Sequence, residues 1–269
     1  MPSIFQYEFM IRAFVVGLIV GVIAPVIGMF LIVKRYSLFA DTLAHVSLLG
    51  IAIGLATGTQ PIIAAAAFAV LGAVGIDRLQ KRTKLFGESV LALFLSGSLA
   101  LATVIIGLSQ GFNVSLLNFL FGSITTVRTV DLYFISILGA VVLGVLLLLY
   151  KELFFISFDE EAAKVSGLPV GRIGLILVVL AAVTVSLSIR TVGVLLIGAL
   201  MVIPGITAMQ LKKSFRTTMI YAVFFSLLSV ILGLFISFYL GLASGGSIVL
   251  IAMALFLLSL LTKAGSGGA

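Results

Sequence analysis

Asp41 and the chain's only histidine, His45, lie four residues apart in the otherwise apolar segment 37–50. If this segment is helical, residues i and i+4 lie on one face, a turn apart. A carboxylate and an imidazole on a membrane helix are costly unless they pair, face a wet cavity or bind an ion. Oxygen and nitrogen ligands suit zinc, manganese or iron, and the chain has no cysteine to supply a thiolate. The pair is a candidate metal site.

Two structural explanations compete with metal binding. His45 could hydrogen-bond a neighbouring helix. Asp41 could pair with Lys34 or Arg35 near the inner membrane surface. For a helix that starts near Tyr36, the rise of about 1.5 Å per residue places Asp41 roughly 8 Å and His45 roughly 14 Å into the membrane. The depth of His45, close to the midplane, favours a functional role.

The composition places this pair in an integral membrane protein. Of the 269 residues, 62% are hydrophobic and 9% are charged, and the mean hydropathy is +1.38. Soluble domains carry about 25% charged residues. The first apolar run, from Met10 to Val33, is too long for a signal peptide and lacks a basic start, so we predict a true first span.

Apolar runs predict an all-α bundle of about nine (eight or nine) transmembrane helices. The predicted spans are 10–33, 36–57, 60–79, 88–109, 130–150, 173–189, 192–211, 217–240 and 247–261. With the N-terminus outside and the C-terminus in the cytoplasm, every lysine and arginine lies inside except Arg12, Arg128 and Arg190, as the positive-inside rule requires. We expect one transmembrane domain, 1–263, and a flexible tail, 264–269.

The basic residues are therefore scattered topology signals. They do not form one patch, which argues against nucleic acid as a partner and leaves membrane lipid around the spans. No G-x-x-x-x-G-K-[ST] phosphate loop occurs in the sequence. Asp41 is the one carboxylate expected deep in a span. If the protein moves an ion uphill, we expect the energy to come from another subunit.

A short cytoplasmic helix is predicted at about 158–168. Asp159 can cap it, Glu160 and Glu161 favour its first turn, and Ser166-Gly167 ends it. From these residues alone, a simple connector accounts for the segment. The alternative is a knob that docks into a cleft of a soluble partner.

Prolines interrupt two predicted spans, at Pro25 and at Pro204-Gly205. A missing backbone donor predicts a kink or an unwound turn at each place. Unwound backbone at membrane depth is tolerated only inside protein or beside a water-filled cavity. A packing kink and a pathway-lining role for Pro204 and Gly205 are both open at this point.

One chain supplies two ligands for the candidate site, too few for a tetrahedral metal. Two copies meeting on a twofold axis would supply two histidines and two aspartates, and C2 dimers are the commonest symmetric assemblies. The ligand count predicts a homodimer in which the second spans face a shared path.

The sequence resembles, nearly from end to end, the permease subunits of bacterial ABC importers for zinc, manganese and iron. The most specific segments are 36–50, 121–127, 159–167, 192–205 and 244–250. Segment 36–50 is most similar to the zinc branch. Where relatives usually have glycine before the aspartate, this chain has Ala40. Where many have Pro-Ala-Ala-Thr, it has Pro204-Gly-Ile-Thr207.

The resemblance implies that Asp41 and His45 bind and gate the metal. It implies two permeases, two ATP-binding subunits and an extracytoplasmic metal-binding protein, in the cytoplasmic membrane of a bacterium. ATP is expected on the partner subunit, no cofactor is expected to be bound permanently, and Zn²⁺, or else Mn²⁺ or Fe²⁺, is the transported ion. The coupling helix that docks into the ATPase would consist of Asp159, Glu160, Glu161, Ala162, Ala163, Lys164, Val165, Ser166 and Gly167.

We therefore interpret the chain as a metal-importing permease and not as an enzyme. A self-powered secondary transporter is the more distant alternative, but it needs coupling carboxylates and often inverted repeats. An intramembrane metalloenzyme typically needs three protein ligands and a general base, and the sequence has none to spare.

Overall fold

The computed structural model describes residues 6–83, 86–108, 114–123, 125, 127–189 and 191–266. Every regular element in these ranges is helical, which confirms the all-α prediction. The helices are α1 (Glu8–Val33), α2 (Ser37–Ala56), α3 (Pro61–Arg82), α4 (Gly87–Leu108), α5 (Val114–Phe121), α6 (Thr129–Leu148), α7 (Tyr150–Phe158), α8 (Glu160–Val165), α9 (Val170–Ser188), α10 (Ile197–Met209), α11 (Phe215–Leu240) and α12 (Ser244–Ser266).

Eight helices of the described residues are long and apolar enough to cross a membrane: α1, α2, α3, α4, α6, α9, α11 and α12. The predicted seventh span, 192–211, is wrong as a continuous helix. Helix α10 begins only at Ile197 and has 13 residues, which at about 1.5 Å per residue gives roughly 20 Å. The hydrocarbon core is about 30 Å thick, so α10 alone does not cross it.

The turns before α10 are paired with the end of α5. The backbone N–H of Val194 donates to the Phe119 oxygen at 2.9 Å, and that of Leu195 donates to the Leu120 oxygen at 3.2 Å. Gly193 has a φ of +87°, and a Cβ there would lie 2.5 Å from the Leu120 oxygen. A left-handed glycine at this close approach explains why the apolar run 192–211 is not one helix.

Most buried apolar side chains belong to one contiguous core. Helix α2 is the most enclosed span, with 72% of its most apolar 18 residues buried, against 22% in α6. It contacts α3, α4, α9 and α10. Small residues allow this approach: a Cβ at Gly50 of α2 would lie 2.6 Å from the backbone oxygen of Ala64 in α3. The segment that bears Asp41 and His45 is thus held from several sides.

The two described helices with an interior proline stay helical through it. Pro25 lies inside α1 and Pro204 lies inside α10. The expected unwinding at Pro204-Gly205 is wrong, since the non-helical backbone lies upstream, at 191–196. Neighbouring helices compensate for a lost backbone hydrogen bond in a membrane helix, and Pro204 is buried against such neighbours.

Several predictions concern features that the described coordinates do not test. The inside–outside orientation, the single domain 1–263 and the flexible tail 264–269 stay predictions. Ser109, at the end of the predicted fourth span, lies outside the described residues, as do Lys84 and Arg190 of the charge argument, Ile124 and Thr126 of segment 121–127, and residues 267–269 of the tail. The helices α5 and α7 were not predicted, because each is a short apolar segment without a clear cap.

The glycine contact between α1 and α10 yields a stability prediction. A Cβ at Gly28 would overlap the backbone oxygen of Met201, and backbone cannot rotate away. We expect Gly28→Ala to cost about 1–3 kcal/mol or more and to lower the Tm of the purified protein by about 4–10 °C. Gly97→Ala on α4 is the matched control, because a Cβ there meets no atom within 4 Å. Equal melting temperatures for both variants would refute this packing.

Candidate metal site

Helix α2 starts after a tight turn that reverses the chain from α1. The Tyr36 N–H donates to the Leu31 oxygen at 2.7 Å, and the Arg35 N–H donates to the Ile32 oxygen at 3.0 Å. Arg35 has a φ of +60°. This is the bonding of a Schellman helix end with a non-glycine residue in the left-handed position, which costs about 1 kcal/mol or more. The turn fixes where α2 begins and hence the depth of Asp41.

Asp41 and His45 lie on the least enclosed side of this part of α2. Both are half-buried, whereas Ala40, Leu43 and Ala44 are fully buried against other helices of the same chain. The structure therefore brings the two predicted residues onto one face, as their spacing requires. That face looks away from the packed core of a single chain, so a cavity or a second chain can share it.

Neither Asp41 nor His45 has, among the described residues, the hydrogen-bond or ion-pair partner that would give it a purely structural role. The Nδ1 atom of His45 is buried without a hydrogen-bond partner. No side-chain hydrogen bond or ion pair joins Asp41 to any other residue that the structure describes. Lys34, the proposed partner of Asp41, instead approaches Glu160, with 3.8 Å between Nζ and Oε2. An unpaired buried polar atom costs about 1–3 kcal/mol, which favours a functional reason for keeping it.

The start of α10 packs directly on Asp41. A Cβ at Gly198 would lie 3.3 Å from both Cβ and Oδ1 of Asp41 and 3.4 Å from its Cα. Helix α10 begins at Ile197 without a side-chain cap, so the partial positive charge of its first turn lies beside this carboxylate. Gly198 was not singled out by sequence reasoning, because 156 residues separate it from Asp41 and glycine is common in this chain.

The ligand count from the structure agrees with the sequence. Within the described ranges, no three His, Cys, Asp or Glu residues cluster closely enough to hold a metal. Asp41 and His45 together offer one oxygen and one nitrogen donor, which is half of a four-coordinate site. Any tetrahedral metal bound here needs ligands from outside the chain.

The predicted cytoplasmic helix is present as a structural element. Helix α8 begins after Asp159, whose Oδ1 accepts the Ala162 N–H at 2.8 Å, and it ends before Gly167, which has a φ of +82°. Ala163 is fully buried while Val165 is 90% exposed. The exposed apolar side chain is available to a partner; the coupling role itself stays a prediction.

Glu160 connects α8 to the end of α1. Its carboxylate accepts a hydrogen bond from Lys164 at 2.8 Å and lies 3.8 Å from Lys34. The hydrogen bond from Lys164 holds the pKa of Glu160 below its usual value; burial opposes this, and the charge of Lys34 adds to the lowering. Burial lowers the pKa of Lys34, and Glu160 partly offsets this. Lys34 is the residue at which the turn into α2 starts.

This ion pair lies at a cavity of about 300 Å³ between the ends of α1, α3, α8 and α9. Across the cavity, Lys81 donates to Asp77 at 2.7 Å and to the backbone oxygen of Gly171 at 3.3 Å. Lys34 and Glu160 thus join the end of α1 to α8, and Lys81 joins α3 to α9. Sequence reasoning did not find these two contacts, because each joins residues far apart in the chain.

Pro204 and Gly205 lie in the second half of α10, away from its first turn, which contacts Asp41. Gly205 faces α1, where a Cβ would lie 2.6 Å from Cδ1 of Ile32 and 3.2 Å from Sδ of Met29. Its absence of a side chain serves close helix packing. A pathway-lining role for the two residues stays a prediction.

Comparison with known proteins gives consistent results over the whole chain. Residues 6–263 match the model of the family described as "ABC 3 transport family". The high-affinity zinc uptake system membrane protein ZnuB of Haemophilus influenzae is 31% identical over 258 residues, covering 96% of this chain and 99% of that one. The manganese transport system membrane protein MntC of Listeria monocytogenes is 30% identical over 261 residues, covering 97% and 93%.

A solved structure, PsaBC from Streptococcus pneumoniae in complex with Fab, has the same fold. The TM-score is 0.83 at 30% sequence identity, and the match covers 96% of this chain and 92% of that one. The two chains therefore share one helix arrangement over nearly their full length.

Proposed function

Since the chain belongs to the ABC 3 transport family, we propose that it forms the path for a divalent transition-metal ion in a bacterial ABC importer, with zinc as the ion. The chain is a multi-pass membrane permease subunit of a metal transport system and not an enzyme. The observation that carries the metal path is that two half-buried polar side chains, Asp41 and His45, share one face of α2, and that the buried Nδ1 of His45 has no hydrogen-bond partner among the described residues.

Zinc is proposed on the chemistry of the donors. An imidazole and a carboxylate bind zinc more tightly than manganese or iron in the general affinity order. The relatives named for zinc and for manganese are nearly equally similar to this chain, at 31% and 30% identity. Manganese or iron import by the same architecture is therefore the alternative, and similarity alone does not decide between them.

The ligand count supports a dimeric site. Each chain offers two donors on a half-buried face of α2 that its own core leaves open. Two copies related by a twofold axis would bring together two Asp41 and two His45 side chains, which completes a tetrahedral set. The ion would pass between the two α2 helices.

Energy is proposed to enter through α8. A separate ATP-binding subunit in the cytoplasm would bind the exposed side of α8. An extracytoplasmic binding protein would deliver the ion at the outer end of the metal path. The Glu160–Lys34 contact leads from α8 to the turn that starts α2. A displacement of α8 can thus reach Asp41 through one ion pair and one tight turn, shifting the site between outward and inward access.

Metal uptake tests the two ligands. In cells that express the full transporter, we expect Asp41→Ala and His45→Ala each to reduce zinc uptake at least about tenfold, since each removes half of the chain's donors. The Tm of each purified variant should stay near that of the unmodified protein, because neither side chain makes a described hydrogen bond or ion pair. Thr103→Ala is the control: its hydroxyl donates only within α4, to Ala100. Unimpaired uptake of zinc, manganese and iron in both variants would rule out the ligands.

Cross-linking tests the shared site. The chain contains no cysteine, so His45→Cys introduces a single thiol at the proposed twofold axis. We expect short bifunctional thiol reagents to give a covalent permease dimer in membranes, because two histidines on one metal keep their Cα atoms farther apart than about 7 Å, the limit for a disulfide. Thr103→Cys, on the exposed side of α4, should not cross-link under the same conditions. Absence of a dimer with His45→Cys and these reagents would contradict the shared path.

A double-mutant cycle tests the proposed coupling contact. We expect Lys34→Gln and Glu160→Gln each to lower the zinc transported per ATP hydrolysed by about two- to fivefold, as a partly exposed ion pair is worth up to about 1 kcal/mol. The double variant should be no worse than either single one. Lys164→Gln breaks only the bond within α8 and so separates the contribution of that bond from the contribution of the Lys34 contact. Additive losses would show that Lys34 and Glu160 act independently.

A further inference from the structure

We propose that Gly198, in the first turn of α10, is a positioning residue for the metal site: it leaves the space in which the Asp41 carboxylate lies at its binding position. The proposal rests on the proposed role of Asp41 and His45 as metal ligands. It adds a third residue, distant in sequence, that acts through Asp41 without touching the metal.

The contact is specific to one side chain. The three atoms nearest to a Cβ built at Gly198 all belong to Asp41, namely Cβ and Oδ1 at 3.3 Å and Cα at 3.4 Å. Contacts this short are tighter than nearly all that real Cβ atoms make, so one partner has to move by a few tenths of an ångström.

The backbone of α2 is not free to move away. On its far side, a Cβ at Gly50 would lie 2.6 Å from the backbone oxygen of Ala64, and one at Gly54 would lie 2.9 Å from Cα of Pro61. Leu43 and Ala44, next to Asp41 in the chain, are fully buried. Close-packed backbone on this side resists a shift of the helix.

The start of α10 is fixed by packing and hydrogen bonds, as α2 is fixed by packing. Gly28 of α1 contacts the backbone of Met201 one turn further along α10. Upstream, the N–H groups of Val194 and Leu195 are bonded to α5, and the Ser244 hydroxyl donates to the Thr191 oxygen at 2.7 Å. Both ends of the first α10 turn are therefore anchored.

The part that remains free to move is the Asp41 carboxylate, which has no described hydrogen bond or ion pair. A methyl group at position 198 would press on both Cβ and Oδ1 of Asp41 and displace the carboxylate away from α10 by a few tenths of an ångström. Metal–ligand distances in protein sites are held within about ±0.2 Å. A shift of this size is enough to weaken metal binding while the fold is preserved.

Transport kinetics of the complete importer test this proposal with Gly198→Ala. We expect the apparent KM for zinc to rise at least about fivefold while the maximal rate changes less than about twofold. The zinc-induced rise in Tm should shrink in the same variant, since that rise depends on affinity, and the Tm without metal should be unchanged. Gly144→Ala on α6, where a Cβ meets nothing within 4 Å, is the control and should match the unmodified protein in all three measurements.

A packing role for Gly198 would give a different pattern. The Tm without metal and the maximal rate would both fall while the KM stayed constant, as expected for Gly28→Ala, and that result would overturn the proposal. An unchanged KM with unchanged Tm would overturn it as well. If Asp41→Ala itself leaves uptake intact, the ligand assignment fails; if Asp41→Ala abolishes uptake but Gly198→Ala has no effect on KM, only the positioning role fails.

Discussion

Backbone groups at membrane depth must be hydrogen-bonded within the protein, and the arrangement around α10 depends on this constraint. The turns at 191–196 satisfy it by bonding to the end of α5 and to Ser244, in addition to bonds back to the end of α9 and within the turns. Helix α10 can therefore begin part of the way through the bundle. The first turn of α10 then lies beside Asp41. A continuous helix over 192–211 would instead have placed an interior turn there.

Glycine at four positions makes this geometry possible. Gly122 and Gly193 have positive φ values and let two backbones touch where the turns meet α5. Gly28 brings α1 against α10, and Gly198 brings α10 against Asp41. Between apolar helices in lipid there is little hydrophobic driving force, so close backbone contact supplies much of the association energy. The same contacts that hold the bundle together thus set the position of the proposed ligand.

The end of the bundle at α8 is held by charged contacts, whereas the apolar helices are held by close backbone packing. Glu160 is bonded to Lys164 within α8 and reaches Lys34 at the start of the turn into α2. A short capped helix, an ion pair and a strained turn at Arg35 lie in series between the cytoplasm and the proposed metal site. Each link is weak enough to rearrange, which suits a permease that must alternate between two states.

The sequence by itself determined the all-α membrane class, most of the spans, the cap and end of α8, and the shared face of Asp41 and His45, because hydropathy, capping and helical spacing are local properties. It did not determine the break before α10, since the apolar run 192–211 looks continuous and only pairing with α5 ends the helix. It also did not determine the contacts Gly198–Asp41 and Lys34–Glu160. These join residues more than a hundred positions apart, and only tertiary packing brings such residues together.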